Sequence, residues 1–282
     1  MNKKVVRLYP APGQTEPLRG LYLRGTGLVA DNHPEPHIYA NFLTSLDGRI
    51  AISETADRAC QLPAALKSDE DFALLLELYA HADCIITHAG YMRSLAAGEL
   101  GNVLQLPQGQ DYQYLHDWRA QQGLKAQPDV LILTGSLDFP WHTSLDDYQQ
   151  QVHIVTTTQA SSAARAEWQK QGRGVHVLGE QKHVDADLLL EFLHQQQYQS
   201  VFLMAGPDLL RDLLAGQYVD RFFMTLSHQL MGGEHYQSLL SGGLLGTKGY
   251  LQLESLYMGE ADCSGLGQWY AEFTFQNKET KS

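Results

Sequence analysis

Short apolar runs alternate with longer amphipathic stretches through the middle of the chain. CIIT (84–87), VLILT (130–134), VHIVTTT (152–158), GVHVLG (174–179) and SVFLMA (200–205) each read as a buried strand. SDEDFALLLELYAHA (68–82) reads as a helix. Phe72, Leu75, Leu76 and Tyr79 recur at helical spacing, Ser68 supplies an N-cap, and Asp69, Glu70 and Asp71 put negative charge on the first turn. YMRSLAAGEL, QASSAARAEWQKQ, VDADLLLEFLHQQ and DLLRDLLAGQ supply further helices. Apolar strands separated by amphipathic helices predict an α/β fold, a mostly parallel central sheet with helices on both faces. VDRFFMTLSHQ, GYLQLESLYMG and LGQWYAEFTFQ then follow one another without helices, which predicts late antiparallel strands.

The flanks read differently. VVRLYP and LYLRG suggest two short strands in an N-terminal extension, residues 1–36, and the prolines of DNHPEPH lead into one main domain, 37–282. IYANFLTS (38–45) is a β-rich run ending at the turn pair Asp47-Gly48, with RIAIS (49–53) continuing as a strand. The polar, Gln-rich stretch 105–127 reads as a surface excursion.

Charge narrows the partners. The 282 residues carry 20 Lys plus Arg against 32 Asp plus Glu, a formal net charge of −12. That argues against nucleic acid and against anionic lipid, both of which need a basic face. A small anionic ligand remains compatible, because helix N-termini and local cations can hold one. The three cysteines, Cys60, Cys84 and Cys263, form no Cys-x-x-Cys pair, so neither a disulfide framework nor a thiolate zinc site is indicated. The basic start lacks the apolar core of a signal peptide and no stretch has the length of a membrane span, so a cytoplasmic location is expected.

Three constellations sit where α/β proteins place ligands, at strand ends. In Ala205-Gly206-Pro207-Asp208, an apolar strand runs through Gly into a helix that opens on Pro. Such a junction either cradles a phosphate or is simply a tight βα turn, and the Asp208 carboxylate competes with a phosphate for the same amides. Thr44-Ser45-Leu46-Asp47-Gly48-Arg49 either meets a ligand or is a turn capped by its own aspartate. Thr156-Thr157-Thr158, with Ser161 and Arg165, either holds a ribose or 2′-phosphate, with Thr157 in contact, or caps the next helix. His33, Glu35 and His37 alternate, but the Pro-Cys-x-x-Cys of zinc deaminases is missing and no metal is expected. Gly-x-Ser-x-Gly is absent, and Cys84 lies within an apolar strand as a core residue.

Taken together, PHIYANFLTSLDGRIA and the ordered series AGPDLL, VDRF and MGG resemble the reductase domain at the C-terminus of bifunctional riboflavin biosynthesis deaminase-reductases. The resemblance covers about residues 36–276 and implies a dihydrofolate-reductase-like fold, commonly a homodimer. It implies NADPH as cofactor and hydride transfer to the opened ribose of a phosphoribosylamino-pyrimidine. By this resemblance Leu43, Ser45, Thr134, Gly135, Ser136, Gly206, Pro207, Asp208, Leu209 and Leu210 border the cofactor. Asp47 positions the nicotinamide end or relays a proton. Cys60, Arg93 and Met204 fall on the substrate side.

The substrate side also departs from the family pattern. Leu76 stands where a phosphate-binding Arg is usual, and Tyr91 where a Thr is usual. Arg93 is the nearest substitute for a second phosphate-binding Arg. Met204 replaces a frequent Glu. Each lost charge-assisted bond is worth about 1.5–3 kcal/mol. Two further readings therefore stand beside the riboflavin-type reductase. One is a reductase of another heterocycle or carbonyl compound. The other is a non-catalytic relative that binds a nucleotide or a protein.

Overall fold

β1 (Lys4–Tyr9) and β2 (Thr15–Pro17) open the chain, followed by β3 (His37–Ser45) and β4 (Arg49–Ser53). α1 (Asp69–His81), β5 (Cys84–His88), α2 (Ala89–Ala96), α3 (Gln113–Gln121), β6 (Asp129–Leu133), α4 (Ser144–Asp147) and β7 (Val152–Thr156) come next. α5 (Ser162–Lys170), β8 (Gly174–Val177), α6 (Ala186–Gln195), β9 (Ser200–Leu203) and α7 (Pro207–Ala215) complete the alternating part. β10 (Val219–Ser227), β11 (His235–Ser238), β12 (Leu251–Gly259) and β13 (Gln268–Phe275) close the chain. This computed structural model describes residues 3–24, 28, 35–57, 60–204, 206–259 and 266–275. The expected α/β class, with parallel strands between helices and antiparallel strands late in the chain, is what forms.

The chain divides into two compact units. One comprises Met1–Thr26, Tyr39–Glu77 and Leu210–Ser282; the other comprises Gly27–Ile38 and Leu78–Leu209.

The second unit carries the parallel strands, in the order β9-β5-β6-β7-β8. Their side chains are buried on both faces: Ile85, Ile86, Val130, Ile132 and Ile154 have no exposed surface. The strands enter through fixed polar contacts. Asp83 accepts from the amides of Gln199 at 2.8 Å and Ser200 at 3.1 Å. At the edge, His176 of β8 lies 3.1 Å from His153 of β7. The other ring nitrogen of His153 is 3.2 Å from Tyr198, which donates to Asp129 at 3.0 Å.

The Gln-rich stretch keeps much of its length at the surface, as expected, but is anchored in this core. Leu104, Leu106 and Leu115 are fully buried. The Gln127 amide both accepts from and donates to the backbone of Leu106, at 2.8 and 3.0 Å. Amide side chains satisfied in this way can line an interior, which a reading by polarity alone cannot anticipate.

The first unit is antiparallel, in the order β2-β1-β12-β13-β10 with β3 beside β10. Its two faces differ. On one, Phe223, Thr225, Tyr270 and Gln268 face the start of α1 and Tyr22. The rings of Tyr22 and Phe223 are 4.9 Å apart, and Ser68 donates to Gln268 at 2.7 Å. On the other, the register aligns Val6, Met258, Trp269 and Leu226 in one row, and Leu253, Phe273 and Phe222 in another. A register shift between Leu253 and Ser255 keeps the leucines of β12 on this apolar face. Leu251 and Met258 there are 37% and 38% exposed.

β4 does not continue β3 within that sheet. It turns away and pairs with β11 as a separate two-stranded ribbon. LYLRG is not a strand either. Gly20 takes φ +80°, and the buried Glu77 carboxylate accepts from the amides of Gly20 and Tyr22, so these donors are not available to a ladder. Ser68 caps α1 as expected, its Oγ accepting from Asp71 N–H at 3.0 Å.

Candidate functional site

In the second unit the ladder registers bring all the parallel strand ends to one edge: His88 pairs with Leu133, Leu133 with Val155, and Thr156 with Val177. Three of the sequence-predicted groups therefore share this edge: Thr134 to Ser136 after β6, Thr157 after β7, and Gly206 to Leu209 after β9. This is where an open α/β sheet offers ligands its free amides.

The β6 end is a fixed turn. Thr134 is 6% exposed, and its hydroxyl accepts from Leu137 N–H at 2.9 Å. Leu137 adopts φ +62°, and its carbonyl accepts from the Trp168 indole at 3.0 Å. Ser136 accepts from Asp138 N–H at 3.3 Å. Gly135 approaches the Lys182 carbonyl. Arg93, from α2, donates to the Asp138 carbonyl at 2.7 Å and so holds the same turn from the other side.

Thr157 is fully buried, and its hydroxyl accepts from Gln159 N–H at 3.3 Å. Beside it the Thr156 hydroxyl is buried with no hydrogen-bond partner among the described residues. Ser161 caps α5, accepting from Ala164 N–H at 3.1 Å, so that part of the threonine-rich run is structural. α7 opens on Pro207 with Asp208 in its first turn. A Cβ at Gly206 would meet nothing within 4 Å among the described residues. Met204 is half-buried beside the Tyr79 hydroxyl.

The departures from the family pattern acquire physical roles. Leu76 is 1% exposed and packs as core. Tyr91 is 7% exposed. Its hydroxyl donates to the Gly101 carbonyl and accepts from Val103 N–H, both at 2.8 Å, and burial raises its pKa to about 12. Tyr91 therefore shapes the loop after α2.

His88 was not singled out by the sequence reading. Its Nδ1 caps α2 by accepting from Tyr91 N–H at 3.3 Å. Desolvation, and then the Arg93 charge, lower its pKa. The signal was present, since an apolar strand ends at His just before a helix, but histidine is not among the favoured N-caps.

In the first unit, Ser45 ends β3 and Asp47 forms the turn before β4. Gly48 takes φ +79° and donates to the Ser45 carbonyl at 3.0 Å. Asp47 accepts from the Ser45 hydroxyl at 2.5 Å, the Gly232 amide at 2.9 Å and the Met231 amide at 3.2 Å, and pairs with Arg49 at 2.5 Å. The Ser45 and Gly232 hydrogen bonds hold its pKa well below the usual carboxylate range, with smaller help from Met231 and Arg49 against some desolvation. The carboxylate is thus ionised and occupied. Arg49 in turn stacks over Tyr236 of β11, 4.3 Å from the ring centre. Leu43 is half-buried on β3, and Leu210 is fully buried in α7. Cys60 is half-buried, next to a bridge joining Gln61 to Ile52. Among the described residues no group of His, Cys, Asp and Glu could hold a metal ion, and no helix is long and apolar enough to cross a membrane. His33 and Cys263 lie outside the described residues.

Comparison with known proteins places this architecture. A family model, the RibD C-terminal domain, matches residues 36–262. A search of curated proteins returned no match. Among solved structures, form 2 of Acinetobacter baumannii RibD aligns with TM-score 0.58 and 16% identity, over 86% of this chain and 58% of that one. This chain thus spans little more than half of that protein. A pyrimidine reductase-like protein of Corynebacterium diphtheriae aligns with TM-score 0.60 and 20% identity, over 88% and 97%. The riboflavin biosynthesis reductase Rib7 of Saccharomyces cerevisiae aligns with TM-score 0.55 and 14% identity, over 90% and 100%. At these identities the likeness to solved structures is one of fold. The family match spans most of the chain, which belongs to the RibD C-terminal domain family.

Proposed function

We propose that the chain is a cytoplasmic NADPH-dependent reductase of the riboflavin-biosynthesis type, acting on a phosphoribosylamino-pyrimidine. The family match over residues 36–262 carries this reading. The donor set at the carboxyl edge of the parallel strands is compatible with a dinucleotide. The hydroxyls of Thr134, Ser136 and Thr157 lie at this edge, each accepting from an amide of its own turn, the buried Thr156 hydroxyl lacks a partner among the described residues, and a Cβ at Gly206 would meet nothing within 4 Å among them. Bound NADPH would supply the hydride. The protein's part is to bind, orient and exclude water, which is most of what hydride transfer requires. Asp47 accepts from the Met231 and Gly232 amides and is suited to positioning the nicotinamide end or relaying a proton.

A specific observation favours the second reading, a reductase of an unphosphorylated heterocycle or carbonyl compound. Leu76 is buried where a phosphate-binding cation is usual in the family. Two ligands separate the readings. NADPH at about 100 times its dissociation constant is expected to stabilise by roughly 2.7 kcal/mol, a melting shift of about 5 °C or more, with a smaller shift for NADH. No shift at millimolar NADPH sinks both readings. NADPH oxidation with the pyrimidine phosphate supports the first, and binding without that turnover supports the second.

The homodimer belongs to the same proposal. The apolar rows over β1, β12, β13 and β10, with Leu251 and Met258 37% and 38% exposed among the described residues, support it, because a stable interface buries roughly 800 Å² per partner and twofold pairing of identical faces is the commonest arrangement. Sedimentation should give a dimer for the wild type and a folded monomer for Met258→Glu. A wild-type monomer at micromolar concentration would refute it.

A further inference from the structure

We propose that His153 and His176 form an acid-sensitive latch on β8, and that its release loosens the wall that the following segment builds at the carboxyl edge of the parallel strands. Every residue involved belongs to the second unit. β8 is the last strand of its sheet and pairs only with β7. Gly174 of β8 stands opposite His153 of β7 and brings no side chain to it. His176, two residues on, shares that face. It leans over the glycine, since a Cβ on Gly174 would sit 3.4 Å from His176 Nε2. The two rings meet there, with 3.1 Å between His153 Nδ1 and His176 Nε2. Phe192 of α6 packs on both, its ring centre 4.6 Å from that of His176 and 5.4 Å from that of His153.

The hydrogen bonds of this cluster run in one direction. Tyr198 donates its only proton to Asp129, which also accepts from Lys125 at 2.6 Å. The Tyr198 oxygen can therefore only accept from His153, 3.2 Å away, so His153 carries its proton on Nε2. Its Nδ1 is left as a lone pair, and His176 Nε2 donates to it. Two neutral rings satisfy the whole chain. A first added proton, on His176 Nδ1, leaves the bond intact. A second, on His153 Nδ1, sets N–H against N–H and two cations side by side, and the latch opens.

The surroundings favour the neutral pair. Desolvation, then the His176 charge, lower the pKa of His153; Asp129 opposes this and Lys125 adds to it. Desolvation lowers that of His176. α6 meets the pair through Phe192, which carries no charge. The stabilisation is complete above the unfolded value of about 6.5 and is lost as pH falls through the lowered folded values.

β8 leads directly into residues 178–182. There the Gly179 carbonyl accepts from Thr158 N–H at 2.9 Å, and the Glu180 carbonyl from the Gln159 side chain at 2.8 Å. The Lys182 carbonyl lies beside Gly135. These contacts border Thr157 and the turn after β6, so an opened β8 disturbs the candidate cofactor site. That last step rests on the reductase reading; the latch itself does not.

The test is residue-resolved amide exchange on the full chain from about pH 7.5 to about pH 5, in the wild type and in His176→Gln. Glutamine places an amide nitrogen near the former Nε2 and can turn its oxygen to a protonated His153, so it keeps the contact without the clash. After correction for intrinsic rates, wild-type protection in β8 should fall at least about tenfold more than in β5 and β6. In the variant the three strands should change together. Protection lost equally across the wild-type sheet, or lost from β8 in the variant as well, would overturn the latch. Should the variant not fold, the wild-type imidazole resonances decide. Titration of both rings below about 6.5, in step with loss of β8 protection, supports the latch, and titration without that loss overturns it. NADPH affinity that falls with β8 protection in the wild type and holds in the variant supports the link to the site. Affinity unchanged while β8 opens overturns that link. NADPH bound at no pH removes the reductase reading, and the exchange profile still decides the latch.

Discussion

Arg119→Ala is expected to lower the melting temperature by about 10 °C or more. Arg119 is 1% exposed. Its Nη1 donates to the carbonyls of Ala80 and Ala82, each at 2.8 Å, and its Nε to that of Lys125, also at 2.8 Å. The last carbonyls of a helix have no partner of their own, and here a side chain from α3 supplies one at the end of α1. A cation at that end also opposes the helix dipole favourably. Truncation leaves these acceptors buried and unmatched, at a cost of roughly 1–3 kcal/mol each. Arg119→Lys keeps the charge but not the planar fork, and should fall between the two. Thermal melts of the three proteins test this. An alanine variant within 2 °C of the wild type (roughly half a kcal/mol) would show that water or rearrangement replaces the guanidinium.

Asp71→Asn is expected to stabilise the protein at alkaline pH. Asp71 is 8% exposed, one carboxylate oxygen has no hydrogen-bond partner among the described residues, and burial raises its pKa to about 6 despite a hydrogen bond with Thr225. A carboxyl group whose folded pKa is raised binds its proton more tightly when folded. Its contribution is fully present below the unfolded value of about 3.9 and is lost as pH rises through about 6. Above that, the ionised group is a net cost of up to roughly 3 kcal/mol. Asparagine removes that cost but loses a favourable first-turn charge worth about 0.5 kcal/mol. The net gain should be about 1–3 kcal/mol near pH 8 and fade toward pH 4. Denaturation of both proteins across this range is decisive, and a constant difference would exclude the ionisation mechanism.

The parallel half of the fold was legible because each of its strands is an unbroken apolar run and each helix between them is amphipathic. The Ser68 cap and the RIAIS boundaries were legible for similarly local reasons. What escaped was decided by distant partners. LYLRG has strand composition, yet Glu77, more than fifty residues away, takes its amides. RIAIS was read correctly as a strand, but β11, HYQS, has no apolar alternation to announce its partner. The polarity of 105–127 concealed its buried anchors, because glutamine is as content inside a protein as outside when both ends of its amide are bonded. The candidate site shows the same division. Strand-end hydroxyls and the Gly206 turn follow from local pattern. The His88 cap depends on the Tyr91 amide and on the space left by Gly90, and the occupation of Asp47 depends on amides nearly two hundred positions later.

The division of the chain into units also orders its assembly. The parallel unit is drawn almost entirely from the continuous segment Leu78–Leu209, while the antiparallel unit needs residues from both ends. As the polypeptide leaves the ribosome, β5 through β9 can all be present before β10, β12 or β13 exists. β1 must wait for β12, its partner some 250 positions downstream, and pairing across such separations is slow. During that interval the apolar residues of β1 are without their sheet and are exposed to aggregation. A chain that stalls or is cut before β10 would therefore contain every strand of the parallel unit and none of the three, β10, β12 and β13, that close the other sheet, so full-length synthesis is a condition for burying its own beginning.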